Sequence, residues 1–255
     1  MSELYDSIRL THLAAAFTSA LGVDAPEGAE SPCDIVLDRL FAEFGEGGAD
    51  RVFIYNPDAV ALWLFQKYTE LFKDAISRTQ IQLPILSVMP SVTPVCFASM
   101  YSGVMPEIHG IMRYEKPVLK IKTVFDALAA AGKRCAIVST EGDSISKIFL
   151  ERDIDYYIYP SVEECNEKAL ELIASDEHDF ITLYNGDYDG TMHRNAPEGK
   201  QSIEALKANI AVFSQIYDAI KEKWSGHRTL LGFCPDHGCH EIDGGAGSHG
   251  LDMQE

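Results

Sequence analysis

The amino-acid sequence predicts an α/β fold: a single domain whose mostly parallel central sheet is flanked by helices on both faces. Two observations lead to this prediction. Short apolar runs rich in β-branched and aromatic residues alternate with longer runs whose apolar residues have helical spacing. At 255 residues, with 46% hydrophobic and 24% charged residues, the chain has the length and composition of one large globular domain.

Six short apolar runs predict the strands of this sheet. In chain order they are Arg51–Tyr55, Gln80–Val88, Cys135–Ser139, Asp155–Tyr159, Phe180–Tyr184 and Thr229–Phe233.

Helical spacing of apolar residues predicts the helices between these strands. Residues 1–50 are expected to form a helical preface that packs on the same core. The predicted helices are Val60–Thr79, Val95–Tyr101, Val118–Ala131 before the stop signal of Gly132, Val162–Ala174 and Glu198–Trp224.

The net charge, the amino-terminal segment and the cysteines indicate which partners and which cellular location to expect. The formal net charge is −18, so we expect no nucleic-acid polymer and no anionic membrane as a partner. The start, Met1–Asp6, is acidic where a secretory signal is basic, and no apolar run reaches the roughly 18 residues of a membrane span. Six cysteines without a CxxC pair are typical of free buried thiols, and the expected location is a reducing cytoplasm.

Four short segments carry side chains that can bind metal ions or act as a nucleophile, and each begins within a few residues of the end of a predicted strand. In parallel α/β sheets, functional residues lie at the carboxyl ends of the strands, so we expect the four segments to lie close together. The candidate residues are three aspartates, three histidines and one threonine: Asp58, Thr93, Asp189, His193, Asp236, His237 and His249.

Each segment also has a simpler structural explanation when it is taken alone. Asp236 and His237 could be a loop carboxylate and a solvent-exposed imidazole. Asp189 and His193, four residues apart in a predicted loop, could be polar surface residues, and Thr93 could cap the helix that follows it. As a nucleophile, this threonine would need metal coordination to lower the pKa of its hydroxyl, and the amino end of the helix would attract an anion.

Longer patterns surround the candidate residues. Met-Pro-Ser-Val-Thr-Pro and Gly-Val-Met-Pro-Glu-Ile-His-Gly lie within residues 89–110, and a Tyr…Asp…His…Pro pattern occupies residues 184–197. Asp-His-Gly at 236–238 and Gly-Ser-His-Gly at 247–250 follow. From about Arg51 to Asp252 the chain therefore resembles the alkaline phosphatase superfamily, most closely its type I phosphodiesterase/nucleotide pyrophosphatase and phosphonoacetate hydrolase branches.

The resemblance implies a role for each candidate residue, with Thr93 as a nucleophile that bridges toward two divalent cations. The family's usual metal is zinc, which suits a mixed carboxylate and imidazole set, and manganese is the alternative. Residues 51–255 would form an alkaline phosphatase-like catalytic domain. The implied ligand sets are Asp189, His193 and His249 for one ion, and Asp58, Asp236 and His237 for the other.

The implied activity is hydrolysis of a small anionic phosphate ester through a phosphothreonine intermediate. A phosphodiester or a nucleotide pyrophosphate is favoured as substrate. A phosphomonoester or a phosphonate is the alternative within the same superfamily, and a non-catalytic metal-binding protein of this fold is the alternative outside it. A sulfatase is disfavoured, because Thr93 stands where that branch has Cys or Ser and no arginine follows in Pro94–Gly103.

The chain departs from the family pattern at two positions of the third segment. Met192 precedes His193, where the family often has glycine. Asp187 competes with Asp189 as the ligand, and we favour Asp189 because its distances from Tyr184 and His193 both match the pattern.

The last segment predicts a reduced or absent cap, since only 11 residues separate His237 from His249. Asn185, just beyond a predicted strand, is a candidate for substrate binding through a phosphoryl oxygen. We expect His109 to lie in a loop near the site without being a ligand. The other histidines and loop acids are expected at the surface: His12, His178, His227, His240, Glu241 and Asp243.

Overall fold

The computed structural model describes residues 8–251 of the protein, whose centre is a sheet of five parallel strands. The order across the sheet is β3-β2-β4-β1-β5, so the α/β class predicted from the sequence is confirmed. The strands are β1 (Arg51–Pro57), β2 (Cys135–Thr140), β3 (Asp155–Tyr159), β4 (Phe180–Asn185) and β5 (Thr229–Phe233).

Helices surround the sheet, and a small antiparallel hairpin follows β5. The hairpin consists of β6 (His240–Ile242) and β7 (Ala246–Ser248). Among the described residues, no helix has both the length and the apolar character needed to cross a bilayer. The helices are α1 (His12–Ala20), α2 (Asp34–Phe44), α3 (Leu62–Lys67), α4 (Lys73–Arg78), α5 (Thr93–Ser102), α6 (Pro106–His109), α7 (Val124–Ala130), α8 (Ser144–Ile148), α9 (Val162–Ser175), α10 (Asp187–Asn195) and α11 (Lys200–Lys223).

The two faces of the sheet are buried against different helices. Along β1, Val52 and Ile54 point to one face, and Phe53 and Tyr55 point to the other, because successive side chains of a strand alternate. All four side chains are fully buried. The first face packs against α1, α2, α5, α7 and α8, and the second against α3, α4, α9, α10 and α11. Burial on both faces explains why the strands are continuous apolar runs.

Two predicted elements are wrong. Gln80–Val88 is not a strand of the sheet: Pro84 has no N–H for a ladder, and a single bridge between Arg9 and Leu86 is the pairing found in this segment. The predicted helix Val60–Thr79 is two helices, α3 and α4, because the backbone leaves the helical region at Tyr68.

Two further predictions need smaller corrections. The helix expected from Val118 begins only at Val124, because Thr123 and Asp126 form a capping box that starts α7 there. His178, expected at the surface, is buried, and its Nε2 lies 2.8 Å from Oδ2 of Asp155.

A buried polar network ties together the strand ends that precede the candidate site. Nδ2 of Asn56 donates to the carbonyl of Cys234 at 2.8 Å. Oδ1 of Asn56 accepts from the hydroxyls of Tyr101 at 2.6 Å and Thr182 at 2.7 Å. The network therefore links β1, β4, α5 and the segment after β5, and it fixes the three neighbouring strand ends relative to one another.

We expect Asn56→Ala to lower the free energy of unfolding by about 2 kcal/mol, because the carbonyl of Cys234 loses its side-chain donor and the hydroxyls of Tyr101 and Thr182 keep only their mutual contact of 2.7 Å. Urea unfolding measures this change. Tyr101→Phe, which removes one of the bonds and keeps the ring, should cost about 1 kcal/mol. Equal, small effects of both variants would contradict a central role for Asn56.

Candidate metal centre

Three buried side chains meet where β1 and β5 end, and we call Asp58, Asp236 and His237 the buried triad. Asp58 follows β1 directly, and its backbone N–H donates to the carbonyl of Asn185 at 2.9 Å. Asp236 lies three residues after β5 and accepts from the N–H of Ala59 at 3.3 Å. Nε2 of His237 lies 3.4 Å from Oδ1 of Asp58 and 3.3 Å from Oδ2 of Asp236.

A second group, Asp189, His193 and His249, lies beside β4, and we call it the outer triad. Oδ1 of Asp189 lies 3.2 Å from Nε2 of His193 and 3.4 Å from Nε2 of His249. The two Nε2 atoms are 3.1 Å apart. The side chain of His193 is 40% exposed, so this triad is open to solvent.

The segment of Asp189 and His193 is a helix, α10, where the sequence predicted a loop. Its polar composition hides the helical spacing of its two buried residues, Tyr188 and Met192. The side-chain oxygen of Asn185 accepts from the N–H of Asp187 and supports the first turn. Because residues four apart share a helix face, α10 brings Asp189 and His193 together.

The hairpin between His237 and His249 packs on α10 through one glycine. A Cβ on Gly247 would lie 2.0 Å from Sδ of Met192 and 2.9 Å from its carbonyl oxygen, so a side chain here would require Met192 and the backbone of α10 to shift. The carbonyl of Gly247 accepts from Nδ1 of His193 at 2.9 Å. Met192, the departure from the family pattern, is therefore accommodated by a glycine on the neighbouring hairpin.

All three histidines direct the same nitrogen toward the carboxylates. Nδ1 of His193, His237 and His249 lies 2.9, 2.9 and 3.1 Å from the carbonyl oxygens of Gly247, Gly238 and Ser91, respectively. A carbonyl oxygen only accepts, so Nδ1 carries the hydrogen and the lone pair of each neutral ring is on Nε2. Histidines that bind metal ions are held in the same way by their second nitrogen.

The donor atoms fit divalent cations. One buried oxygen of each aspartate has no hydrogen-bond partner within residues 8–251: Oδ1 of Asp58, Oδ1 of Asp189 and Oδ2 of Asp236. Within each triad the donor atoms lie within 4.8 Å of one another. Two carboxylates with one imidazole, and one carboxylate with two imidazoles, are sets that suit zinc or manganese.

The charges of the buried triad are unfavourable without a cation. Burial, together with the charge of Asp189, raises the pKa of Asp58 to about 7. Burial and the neighbouring Asp58 raise the pKa of Asp236 well above its ordinary value. Burial also lowers the pKa of His237 to about 3, so this ring supplies no positive charge. A bound divalent cation would offset the two carboxylates.

The outer triad holds its charges differently. Burial raises the pKa of Asp189, but its contacts with His193 and His249 outweigh this effect and lower the pKa below the usual range. The contact with Asp189 raises the pKa of His193 to about 8. A cation entering this triad would therefore displace a proton from His193.

Thr93 lies beside the buried triad, at the first residue of α5. Its Oγ1 is 3.4 Å from Oδ2 of Asp58 and 3.3 Å from Nε2 of His237. No side chain caps this helix end, so the positive end of the helix dipole faces the site. The structure therefore brings all seven candidate residues of the sequence into one site.

The other predicted residues lie around this site or away from it. Asn185 is buried at the end of β4. Asp187 begins α10 and belongs to neither triad. His109 ends the short helix α6, not a loop, and its Nε2 lies 3.0 Å from Oγ of Ser99. Sequence reasoning missed the hydroxyl of Tyr184, which donates to Oδ2 of Asp58 at 2.5 Å.

No family model and no curated protein sequence matches the chain. Among solved structures, the chain is similar to murine ectonucleotide pyrophosphatase/phosphodiesterase 5, with 15% identity and a TM-score of 0.61 for an inactive threonine-to-alanine variant in complex with AMP. This match covers 76% of the chain and 59% of the murine one. The structure of the murine protein without that substitution is similar to this chain with a TM-score of 0.60.

Phosphonoacetate hydrolase from Sinorhizobium meliloti 1021, in complex with phosphonoformate, is similar at 16% identity with a TM-score of 0.53. The match covers 67% of this chain and 54% of the hydrolase. The chain thus spans less than three fifths of the length of each of these solved chains. These likenesses show a shared fold, and it is the fold that the resemblance to the alkaline phosphatase superfamily implies.

The two triads predict two metal ions per chain after loading with zinc. Asp236→Asn and Asp189→Asn should each reduce the metal content to one, because each removes a charged ligand from one triad. Asp187→Asn is the matched control on the same helix and should keep two ions. Elemental analysis after dialysis measures the content, and loss of an ion in the Asp187 variant would contradict the assignment.

We expect the difference in Tm between zinc-loaded and EDTA-treated protein to widen from pH 5.5 to pH 8. Folding raises the pKa of Asp58, Asp236 and His193, so the metal-free fold loses stability as pH rises through these values. The lowered pKa of His237 has the opposite effect on stability, but it is one group against three. Zinc binds the deprotonated groups, so its stabilising effect increases with pH.

Each displaced proton should widen the Tm difference by roughly 3 °C per pH unit. Differential scanning fluorimetry at several pH values measures it, and a difference that stays constant over this range would contradict the expectation.

Proposed function

We propose that the protein is a two-metal hydrolase of phosphate esters that acts through a phosphothreonine intermediate at Thr93. The position of the Thr93 hydroxyl carries this proposal. It lies between Asp58 and His237, at 3.4 and 3.3 Å, and at the amino end of a helix. A role as a helix cap alone would not explain the two triads beside Thr93, in which one buried oxygen of each aspartate has no hydrogen-bond partner among the described residues.

In the proposed site, the buried triad would hold one divalent cation and the outer triad would hold the other, with zinc as the first choice. Bound there, the cations would lower the pKa of the Thr93 hydroxyl and offset the negative charge of a phosphoryl group. The carbonyls behind the three histidines keep Nε2 of each ring directed into the site.

The reaction divides into two displacements at phosphorus. Oγ1 of Thr93 attacks the phosphorus atom and loses its proton, while the bond to the leaving-group oxygen breaks and that oxygen gains a proton. Water then attacks the phosphothreonine, which restores the hydroxyl and releases the phosphate product. The amino end of α5 stabilises the charge that builds up on the phosphoryl oxygens.

A phosphodiester or a nucleotide pyrophosphate is the favoured substrate. The fold likeness to a nucleotide pyrophosphatase/phosphodiesterase solved with AMP supports it, and the net charge of −18 favours a small anion over a polyanion. The likeness to phosphonoacetate hydrolase supports a phosphonate as the second candidate. Asn185, at the end of β4, remains the candidate for contact with a phosphoryl oxygen.

The proposal is tested by measuring turnover by the zinc-loaded protein. The substrates are bis-p-nitrophenyl phosphate, p-nitrophenyl phosphate and a nitrophenyl nucleotide ester. Thr93→Ala should lower kcat by about 10³-fold or more and leave the metal content at two, because the nucleophile is lost and the ligands of both triads remain. Thr93→Ser, which keeps a hydroxyl, should retain measurable turnover. A Thr93→Ala variant as active as the natural sequence would overturn the mechanism.

A further inference from the structure

The two oxygens of the Asp58 carboxylate have different surroundings. Oδ2 accepts a hydrogen bond from the hydroxyl of Tyr184 at 2.5 Å. Oδ1 is buried, has no hydrogen-bond partner in the described part of the chain and lies 3.4 Å from Nε2 of His237. One oxygen is therefore held by the protein, and the other is directed toward the remaining ligands of the buried triad.

The fold holds Tyr184 rigidly. It is the fifth residue of β4 and pairs in register with Asn56 of β1, two residues before Asp58. Its ring packs edge-on against Phe97, with 5.8 Å between ring centroids. The side chain is buried, and its hydroxyl donates to the Asp58 carboxylate across the ends of the two paired strands.

The turn after β4 leaves space for this hydroxyl. A Cβ on Gly186 would lie 2.7 Å from the Tyr184 oxygen and 3.1 Å from two of the ring carbons. The backbone of Gly186 has φ −95°, which any residue can adopt. The absence of a side chain at Gly186 is therefore explained by the ring of Tyr184 and not by the turn itself.

We propose that Tyr184 is a positioning residue for the buried metal site: its hydroxyl occupies Oδ2 of Asp58 so that Oδ1 alone is presented to the cation. The inference rests on the proposed metal-dependent function. It has a consequence for Thr93, whose hydroxyl lies 3.4 Å from the same Oδ2. The hydroxyls of Tyr184 and Thr93 share Oδ2, which leaves Oδ1 as the oxygen that faces the proposed cation.

The experiment measures the zinc affinity of each triad separately, by titration against a chromophoric chelator. Tyr184→Phe is introduced into a protein with Asp189→Asn, which keeps the buried triad, and into one with Asp236→Asn, which keeps the outer triad. We expect the affinity of the buried triad to fall roughly 10–100-fold and that of the outer triad to stay unchanged. Excess zinc should restore the kcat of Tyr184→Phe in the natural background.

Two further variants separate positioning from a general structural effect. Gly186→Ala keeps the hydroxyl but displaces it, so it should weaken the buried triad in the same direction. Tyr156→Phe is the matched control: its hydroxyl donates to the carbonyl of Phe149 at 2.8 Å, away from the site, and neither affinity should change.

The outcomes distinguish the inference from the proposed function. If the natural sequence binds two zinc ions and neither Tyr184→Phe nor Gly186→Ala changes the affinity of the buried triad, the role of Tyr184 is refuted and the hydrolase proposal stands. Equal weakening of both triads would show a structural role and would also refute it. If the natural sequence binds no zinc, both proposals fall.

Discussion

Asp58 and Asp236 place two carboxylates side by side in the interior, and within residues 8–251 their ion-pair partner is His237, whose pKa is lowered to about 3. Taking a carboxylate out of water costs several kcal/mol unless a positive charge or several hydrogen bonds compensate it. The protein supplies few such bonds, chiefly from Tyr184 and the N–H of Ala59. The negative charge of the buried triad is thus not compensated by the protein, and this is the strongest physical reason to expect a bound cation.

The rest of the fold holds this unfavourable arrangement in place. Both faces of the sheet are buried, so the ends of β4, β1 and β5 cannot separate without exposing apolar surface. Asn56 adds a polar connection across the same three ends. The energy that keeps two carboxylates together therefore comes from the core and the network below them, and not from the site.

Much of the site was predictable from the sequence, since the carboxyl ends of parallel strands converge whatever the details of packing. Asp58 and Asp236 follow strands whose apolar runs are unmistakable. The helix of Asp189 and His193 was not predictable from local pattern, because it depends on the burial of Tyr188 and Met192 against the rest of the fold, with one hydrogen bond from the N–H of Asp187 to the side chain of Asn185.

Two other features depend on contacts between distant parts of the chain. The hydroxyl of Tyr184 reaches a residue 126 positions away, and this contact follows only from the pairing of β4 with β1. Gln80–Val88 illustrates the opposite error: an apolar run met the criteria for a strand, but the segment contains Pro84, lies outside the sheet and forms a single bridge, between Leu86 and Arg9. Apolar pattern alone does not decide which runs enter a sheet.

The two triads are unequal, and the difference assigns them separate parts of the proposed reaction. The buried triad lies on strand ends together with Thr93, so it suits the step in which a precisely held hydroxyl attacks phosphorus. The outer triad lies on a helix and a hairpin, and His193 is 40% exposed. In the proposed reaction, water and substrate would approach from this more exposed side. In the proposed reaction, the buried triad would therefore serve the nucleophile, and the outer triad would serve the incoming substrate and the water that releases the product.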